Sequence, residues 1–136
     1  MSLLEIFKHK KDHTRYLYLH PVILMIMFDA QNWALDNNLD FKVTSTVTTA
    51  EEDRKLSRVS SSHRQGRAFD LSCKGWSVEQ INNFRTYFSR KYSSYAALSK
   101  SSHQPNLVVY HNSGHGHHFH VQINSRYSKE LNIASN

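Results

Sequence analysis

Apolar side chains recur along the chain with two periods, one typical of helices and one typical of strands. Two stretches have the helical period, because every third or fourth residue is apolar and polar residues lie between. The first stretch follows His20, and its apolar residues are Val22, Ile23, Ile26, Met27, Ala30, Trp33 and Ala34. The second follows Ser77, and its stripe comprises Val78, Ile81, Phe84, Phe88, Tyr92 and Tyr95. We therefore expect two helices, each with one face in the core.

Two short patterns predict where helices begin. A capping box pairs a Ser or Thr with a Glu or Gln three residues later. Ser77 and Gln80 have this form at the start of the second helical stretch, and Thr48 and Glu51 have it earlier in the chain. We expect a long helix after Ser77 and a short one from Thr48 through Leu56.

Four further stretches have the strand period of two and are rich in β-branched or aromatic residues. They are residues 41–47, 66–73, 107–111 and 117–124. Small and polar residues separate the last two stretches, which is typical of a hairpin turn. The pattern predicts an α+β fold in which an antiparallel sheet of about four strands packs against helices.

The same period assigns side chains to the two faces of the sheet. In the second strand stretch, Phe69 and Leu71 face one way and Asp70 faces the other. In the fourth, the apolar face holds Phe119, Val121 and Ile123, and the opposite face holds His118, His120 and Gln122. We therefore expect one carboxylate and two imidazoles to project from one side of the sheet, away from the core.

Length and composition indicate a single domain. With 136 residues, 39% hydrophobic side chains, four Gly and two Pro, the chain is long enough to bury its own core. We place the domain at 1–136, with its core at about 20–125. Cys73 is the sole cysteine, which excludes a disulfide within the chain. Nothing in the sequence specifies an oligomer, and we expect a monomer.

The most apolar run, Val22 to Phe28, is far shorter than the ~20 residues of a membrane-spanning helix. No small-x-small cleavage site follows it, so it lacks the form of a signal peptide. We expect a buried helix, no membrane span and synthesis in the cytoplasm. The net charge of +6 attracts polyanions, but aromatic residues do not interleave with the basic ones, and we expect no specific nucleic-acid partner.

Histidine is the residue type whose distribution is most informative. Five of the ten His lie within ten residues of one another: His111, His115, His117, His118 and His120. Another, His63, precedes Asp70 by seven residues, and Gly66 between them lets the loop fold back toward the carboxylate. Two His and one Asp with an open fourth position suit a catalytic Zn²⁺ ion, whose bound water loses a proton near neutral pH.

Two motifs carry a resemblance to a known family. Residues 61–70, SSHRQGRAFD, fit the Ser-x-His-x-x-Gly-x-Ala-x-Asp motif of the zinc D-Ala-D-Ala carboxypeptidase and L-alanyl-D-glutamate endolysin peptidases. Residues 118–121, HFHV, are similar to the His-x-His element that these enzymes share with lysostaphin-type peptidases and Hedgehog amino-terminal domains. The resemblance covers about residues 20–125 and implies their common fold.

The resemblance also implies roles for individual residues. It gives His63, Asp70 and His120 as ligands of one zinc ion, although His118 remains open as an alternative to His120. His118 would otherwise polarise water or hold the oxyanion, and Ser61 would line the substrate pocket. The implied activity is hydrolysis of bacterial peptidoglycan peptides, in the stem or the cross-bridge, by a carboxypeptidase or endopeptidase. A phage lytic enzyme that acts on the cell wall would have these features.

The sequence departs from the family pattern at the general base. These peptidases usually place a Glu or Asp shortly before the last ligand, yet no acidic residue occurs between Glu79 and Glu130. His115 or His117 is then the expected base, and we favour His115 because its Gly-flanked turn can bring it over the metal. The arginine common in the family is also missing near 46–49, so Arg54 or Arg67 would recognise the substrate carboxylate.

Two other functions fit part of the sequence. Without an acidic base, the chain could be a zinc-containing binding module of the same fold, as Hedgehog-type domains are. A rolling-circle replication endonuclease also uses His-hydrophobe-His on a strand, together with a nucleophilic tyrosine. That function leaves the motif at 61–70 without a role, and Tyr127 is the sole tyrosine after the His pair.

Overall fold

The structure, a computed structural model, describes residues 3–99, 102–113 and 116–128. They form four α-helices, four short 3-10 helices and a four-stranded sheet. The helices are α1 (Lys10–Arg15), α2 (Pro21–Asp36), α3 (Ala50–Lys55) and α4 (Val78–Lys91). The strands are β1 (Lys42–Ser45), β2 (Ala68–Ser72), β3 (Val108–Ser113) and β4 (Gly116–Gln122). The sheet order is β1-β2-β4-β3 and each neighbouring pair is antiparallel. The α+β class and the antiparallel sheet are confirmed.

The hydrophobic core lies between one face of this sheet and the helices α2 and α4. Phe119 of β4 stacks on Phe84 of α4 with ring centroids 4.6 Å apart. Trp33 of α2 meets the same Phe84 edge-on at 5.3 Å. Phe69 and Leu71 of β2 are fully buried on this side of the sheet, as the alternation predicts. Burial of aromatic residues from three elements therefore fixes which face of the sheet looks inward.

The run Val22 to Phe28 lies within α2, as expected for a buried helix. Ile23, Ile26 and Met27 of this run are at most 1% exposed, whereas Met25 is 46% exposed, so the helix buries one face of the run and not all of it. No described helix combines the length and the apolar character that crossing a lipid bilayer requires.

Two details of the helix predictions are wrong. The capping box of α3 is formed by Thr49 and Glu52, one residue later than the predicted pair, because Thr48 is buried and its hydroxyl donates to Asp53 Oδ1 at 2.6 Å. Val78 is 75% exposed although it fits the apolar stripe of α4. As the first residue of that helix, it lies beyond the edge of the core. The capping box predicted at Ser77 is confirmed.

The segment before α2 belongs to the same core. Ile6 is fully buried and Phe7 is 5% exposed, and both join the hydrophobic cluster. Phe7 forms a parallel bridge with Val43 of β1, and the Lys8 amide donates to the Val43 carbonyl at 2.9 Å. The folded unit therefore includes residues that precede position 20.

Glu52 of α3 links this N-terminal segment to the rest of the domain through hydrogen bonds to α1. It accepts hydrogen bonds from Lys11 Nζ at 2.9 Å, Arg15 at 2.7 Å and the Thr49 amide at 2.9 Å. Burial by itself would raise the pKa of the Glu52 carboxyl, but these three donors outweigh it and lower the pKa from 4.5 to about 2.

This shift predicts a pH-dependent contribution to stability. Since the folded-state pKa is depressed, the contribution is complete above pH 4.5 and is lost as the pH falls toward about 2. The urea midpoint of Glu52→Gln should therefore lie below that of the wild type at pH 7 and approach it near pH 2. Glu51→Gln, at an exposed neighbour on the same helix, is the control and should show no such convergence. A Glu52→Gln deficit that persists unchanged at low pH would contradict the prediction.

Candidate metal centre

A tight turn carries His63 back against the sheet. The Gly66 amide donates to the His63 carbonyl at 3.1 Å, and the Arg67 amide donates to the Ser62 carbonyl at 3.1 Å. Gly66 has φ of +70°, in the left-handed region that a residue without Cβ adopts at low cost. The turn leaves the His63 side chain 2% exposed and directed at β2.

Strand register supplies the other two groups. Asp70 of β2 lies directly opposite His120 of β4, on the face that the core does not cover. Asp70 Oδ1 is 3.0 Å from His63 Nε2 and 3.0 Å from His120 Nδ1, and the two nitrogens are 3.2 Å apart. Ligand atoms around a tetrahedral zinc ion lie about 3.3 Å from one another. His63, Asp70 and His120 could therefore hold a metal ion together, and we call these three residues the donor group.

Each of the three side chains is oriented by a second partner. His63 Nδ1 donates to the Thr46 carbonyl at 2.7 Å, which leaves a lone pair on Nε2. His120 Nε2 faces Gln122 Oε1 at 2.9 Å, which in the same way leaves Nδ1 free to bind a cation. This arrangement of outer partners is typical of metal-binding histidines.

The carboxylate has an outer partner too. Asp70 Oδ2 accepts a hydrogen bond from Arg58 at 2.9 Å, so Oδ1 is the oxygen that faces the imidazoles. Burial opposes ionisation of Asp70, but attraction to the cationic forms of His63 and His120, whose Nε2 and Nδ1 then donate to Oδ1, outweighs it and holds the pKa of the carboxyl well below its ordinary value. Asp70 is therefore an ionised carboxylate at neutral pH, as a metal ligand must be. A metal ion bound by the lone pairs of these two ring nitrogens would take the place of the two protons.

His118 lies beside the donor group without joining it. It is two residues before His120 on the same face of β4, and such neighbours along a strand are about 6.7 Å apart. The described donor group contains His120 and not His118, which favours His120 between the two ligand choices.

His111 of β3 is a site residue that the sequence analysis did not select. It pairs with His118 across the sheet, and their ring centroids are 5.1 Å apart. Burial lowers the pKa of His111, and the neighbouring His118 and His120 lower it further. Alternation along β3 could have revealed it, because Val108 and Tyr110 face the core.

The other residues predicted to act at the site, His115, His117 and Ser61, differ in where they lie relative to the three candidate ligands. His115 lies outside the described residues. His117 is on the opposite face, where it contacts the Tyr110 hydroxyl. Ser61 is half-buried, and the hydroxyl next to the donor group is that of Ser62, whose Oγ is 3.3 Å from His120 Nε2. The structure therefore brings together the three predicted ligands, with His118 beside them on the same face of β4, and it does not bring His117 to them.

Neither arginine predicted to recognise a substrate carboxylate contacts the three candidate ligands within the described residues. Arg54 is exposed on α3. Arg67 donates to Gln65 Oε1 and to the Ile123 carbonyl, so its guanidinium stabilises the fold. Arg58, which no sequence pattern selects, is the arginine in contact with the donor group. Cys73 is buried on the core side, where burial raises the pKa of its thiol to about 11, and it is not a ligand candidate.

The donor geometry predicts that these three residues together bind one divalent metal ion, and zinc is the ion with which to test it. His120→Ala should weaken zinc binding by roughly a hundredfold or more, because two donors cannot replace three. Competition with a chromophoric chelator measures the Kd, and mass spectrometry of the native protein measures the stoichiometry. His9→Ala, an exposed histidine ahead of α1, is the matched control and should bind like the wild type. Equal zinc affinity in His120→Ala and the wild type would rule out this ligand set.

Comparison with protein-family models, with curated proteins and with solved structures finds no match for this chain. The family resemblance of residues 61–70 and 118–121 stays a prediction. What the protein does must therefore be inferred from the chemistry of the donor group and its surroundings.

Proposed function

We propose that this protein is a zinc-dependent peptidase that hydrolyses peptide bonds in bacterial peptidoglycan, within the stem peptide or the cross-bridge. The observation that carries the proposal is the meeting of His63, Asp70 and His120 at distances that suit zinc, beside two further imidazoles. The substrate class follows from the family resemblance of the two motifs. A phage lytic enzyme that reaches the cell wall after synthesis in the cytoplasm is the setting we propose.

The number of donors favours catalysis over a structural role. Structural zinc sites usually have four protein ligands, whereas catalytic sites have three and keep one position for water or substrate. The described donor group has three members, two of them imidazoles. A zinc ion bound there would polarise a carbonyl oxygen and lower the pKa of its bound water to about 7.

His118 is the proposed stabiliser of the oxyanion. It lies one step along β4 from His120, on the same face, and it is half-buried. An imidazole N–H at this position can donate a hydrogen bond to the oxygen that becomes negative during attack on the scissile carbonyl. Because the sheet fixes its backbone, His118 would need little reorganisation to do so.

His111 is the proposed proton carrier. The base role predicted for His115 stays a prediction. Among the described residues, His111 is the histidine whose ring lies next to that of His118. Burial and the adjacent imidazoles lower the pKa of His111, so the ring is neutral at pH 7 and can accept a proton. It can then return that proton to the leaving amine.

The alternative proposal, a zinc-containing binding module, is favoured by one observation. No acidic residue occurs between Glu79 and Glu130, where related peptidases have their base. The endonuclease alternative has less support, because the ring of Tyr127 packs against His20 and Tyr95 rather than against the donor group.

Hydrolysis of purified cell walls tests the peptidase. The zinc-loaded wild type should release new amino termini from sacculi, detected by amine labelling and chromatography of the products. His63→Ala should abolish this release. His118→Ala should retain zinc and lose about 10²–10³ in kcat, the usual effect of removing one oxyanion donor.

The controls separate catalysis from binding. His9→Ala should cleave at the wild-type rate, and His111→Ala should bind zinc normally while losing activity. A folded, zinc-loaded wild type that sediments with sacculi of several wall types but releases no amine from any of them would overturn the peptidase proposal and favour the binding module.

A further inference from the structure

A carboxylate near the N-terminus is completely buried. Asp12 of α1 is 0% exposed. Its Oδ1 accepts a hydrogen bond from the Thr46 amide at 2.8 Å and another from the Thr46 hydroxyl at 2.7 Å. Its Oδ2 has no hydrogen-bond partner in the described part of the chain. Burial of a carboxylate that is only half satisfied is costly, so Asp12 calls for a functional explanation.

Thr46 connects this carboxylate to the metal centre. Thr46 is also 0% exposed, and its carbonyl accepts the hydrogen bond from His63 Nδ1 at 2.7 Å. Asp12 therefore binds the amide and the hydroxyl of Thr46, and the carbonyl of Thr46 in turn orients the candidate ligand His63. Three buried residues from separate segments form a continuous chain of hydrogen bonds to the donor group.

The rest of α1 reinforces this contact. Arg15 lies three residues after Asp12, which places both on one face of the helix. Arg15 donates to the carbonyl of Val47, the residue next to Thr46, at 3.2 Å. Two side chains of α1 thus fix two consecutive residues in the connection between β1 and α3.

We propose that Asp12 is a positioning residue for the metal centre, which sets metal affinity by fixing Thr46 and, through its carbonyl, the ring of His63. This inference rests on the metal centre of the proposed function. Outer partners of metal-binding histidines hold the ring and its tautomer in the binding geometry. Thr46 is the outer partner of His63, and Asp12 holds Thr46 in place. Through Asp12, α1 therefore contributes to the metal centre.

Zinc affinity tests the inference without any assay of hydrolysis. Asp12→Ala should weaken the zinc Kd by about 10–100-fold, the usual effect of losing an outer partner. Asp12→Asn keeps an acceptor oxygen for Thr46 and should recover most of that affinity. The visible absorption of the Co²⁺-substituted protein should shift in Asp12→Ala, because the His63 ring is no longer fixed, and should return in Asp12→Asn.

A second carboxylate is the matched control. Asp29 of α2 also accepts two side-chain hydrogen bonds, from Lys91 and Tyr92, but within the described residues it contacts neither Thr46 nor His63. Asp29→Ala should lower the unfolding temperature and leave the zinc Kd within about twofold of the wild type. This comparison separates a general loss of stability from a specific effect on the site.

The outcomes distinguish this inference from the proposed function. A folded Asp12→Ala protein with wild-type zinc Kd and cobalt spectrum overturns the positioning role and leaves the metal centre intact. A wild type that binds no zinc overturns both. If Asp12→Ala does not fold, Asp12→Ser, whose shorter side chain cannot reach both donors of Thr46, takes its place, and an unchanged zinc Kd and cobalt spectrum in that variant overturn the inference.

Discussion

The pairing of β2 with β4 is the constraint on which the rest of the site depends. It places Asp70 opposite His120 and, at the same time, buries Phe69 and Phe119 against the helices. A slip of one residue in a strand moves every side chain to the other face. Such a slip would put the carboxylate in the core and a phenyl ring in water, so the packing that stabilises the fold also fixes the register of the donors. The stability of the fold and the positions of two of the three donors are therefore set by one pairing.

The third donor depends on polar contacts instead of packing. His63 comes from a turn that no strand pairing holds, and the Thr46 carbonyl and Asp70 fix its ring from two sides. Buried polar groups of this kind are stable only when nearly all of them have partners. Arg58 satisfies the second oxygen of Asp70, and Gln122 satisfies the outer nitrogen of His120. The site is thus held by a network that extends well beyond its three donors.

The sequence predicts the features that arise within one helix or strand better than those that depend on contacts between elements. The long helices and the facing of Asp70 and His120 are predicted correctly, since periodicity records which side chains are buried along one element. Arg58 is missed because its contact with Asp70 joins elements distant in sequence. Alternation along β3 could have placed His111 on the polar face, but only the strand register shows that it pairs with His118. The capping box lies at Thr49 because Thr48 is drawn inward by Asp53. Local pattern cannot indicate which of two adjacent threonines a buried carboxylate will bind.

With a divalent cation bound, the charge of the site would favour an anionic ligand. Asp70 is the single carboxylate of the donor group, and the cationic Arg58 already pairs with it. The neighbouring imidazoles of His111 and His118 add no negative charge when neutral, whereas a glutamate base in their place would. A divalent cation held by this group would therefore keep an excess of positive charge, which attracts anions in a partly buried setting. In the peptidase function that we propose, a histidine base in place of an acidic one would strengthen the attraction of the site for a substrate with free carboxylates, such as a peptidoglycan stem peptide.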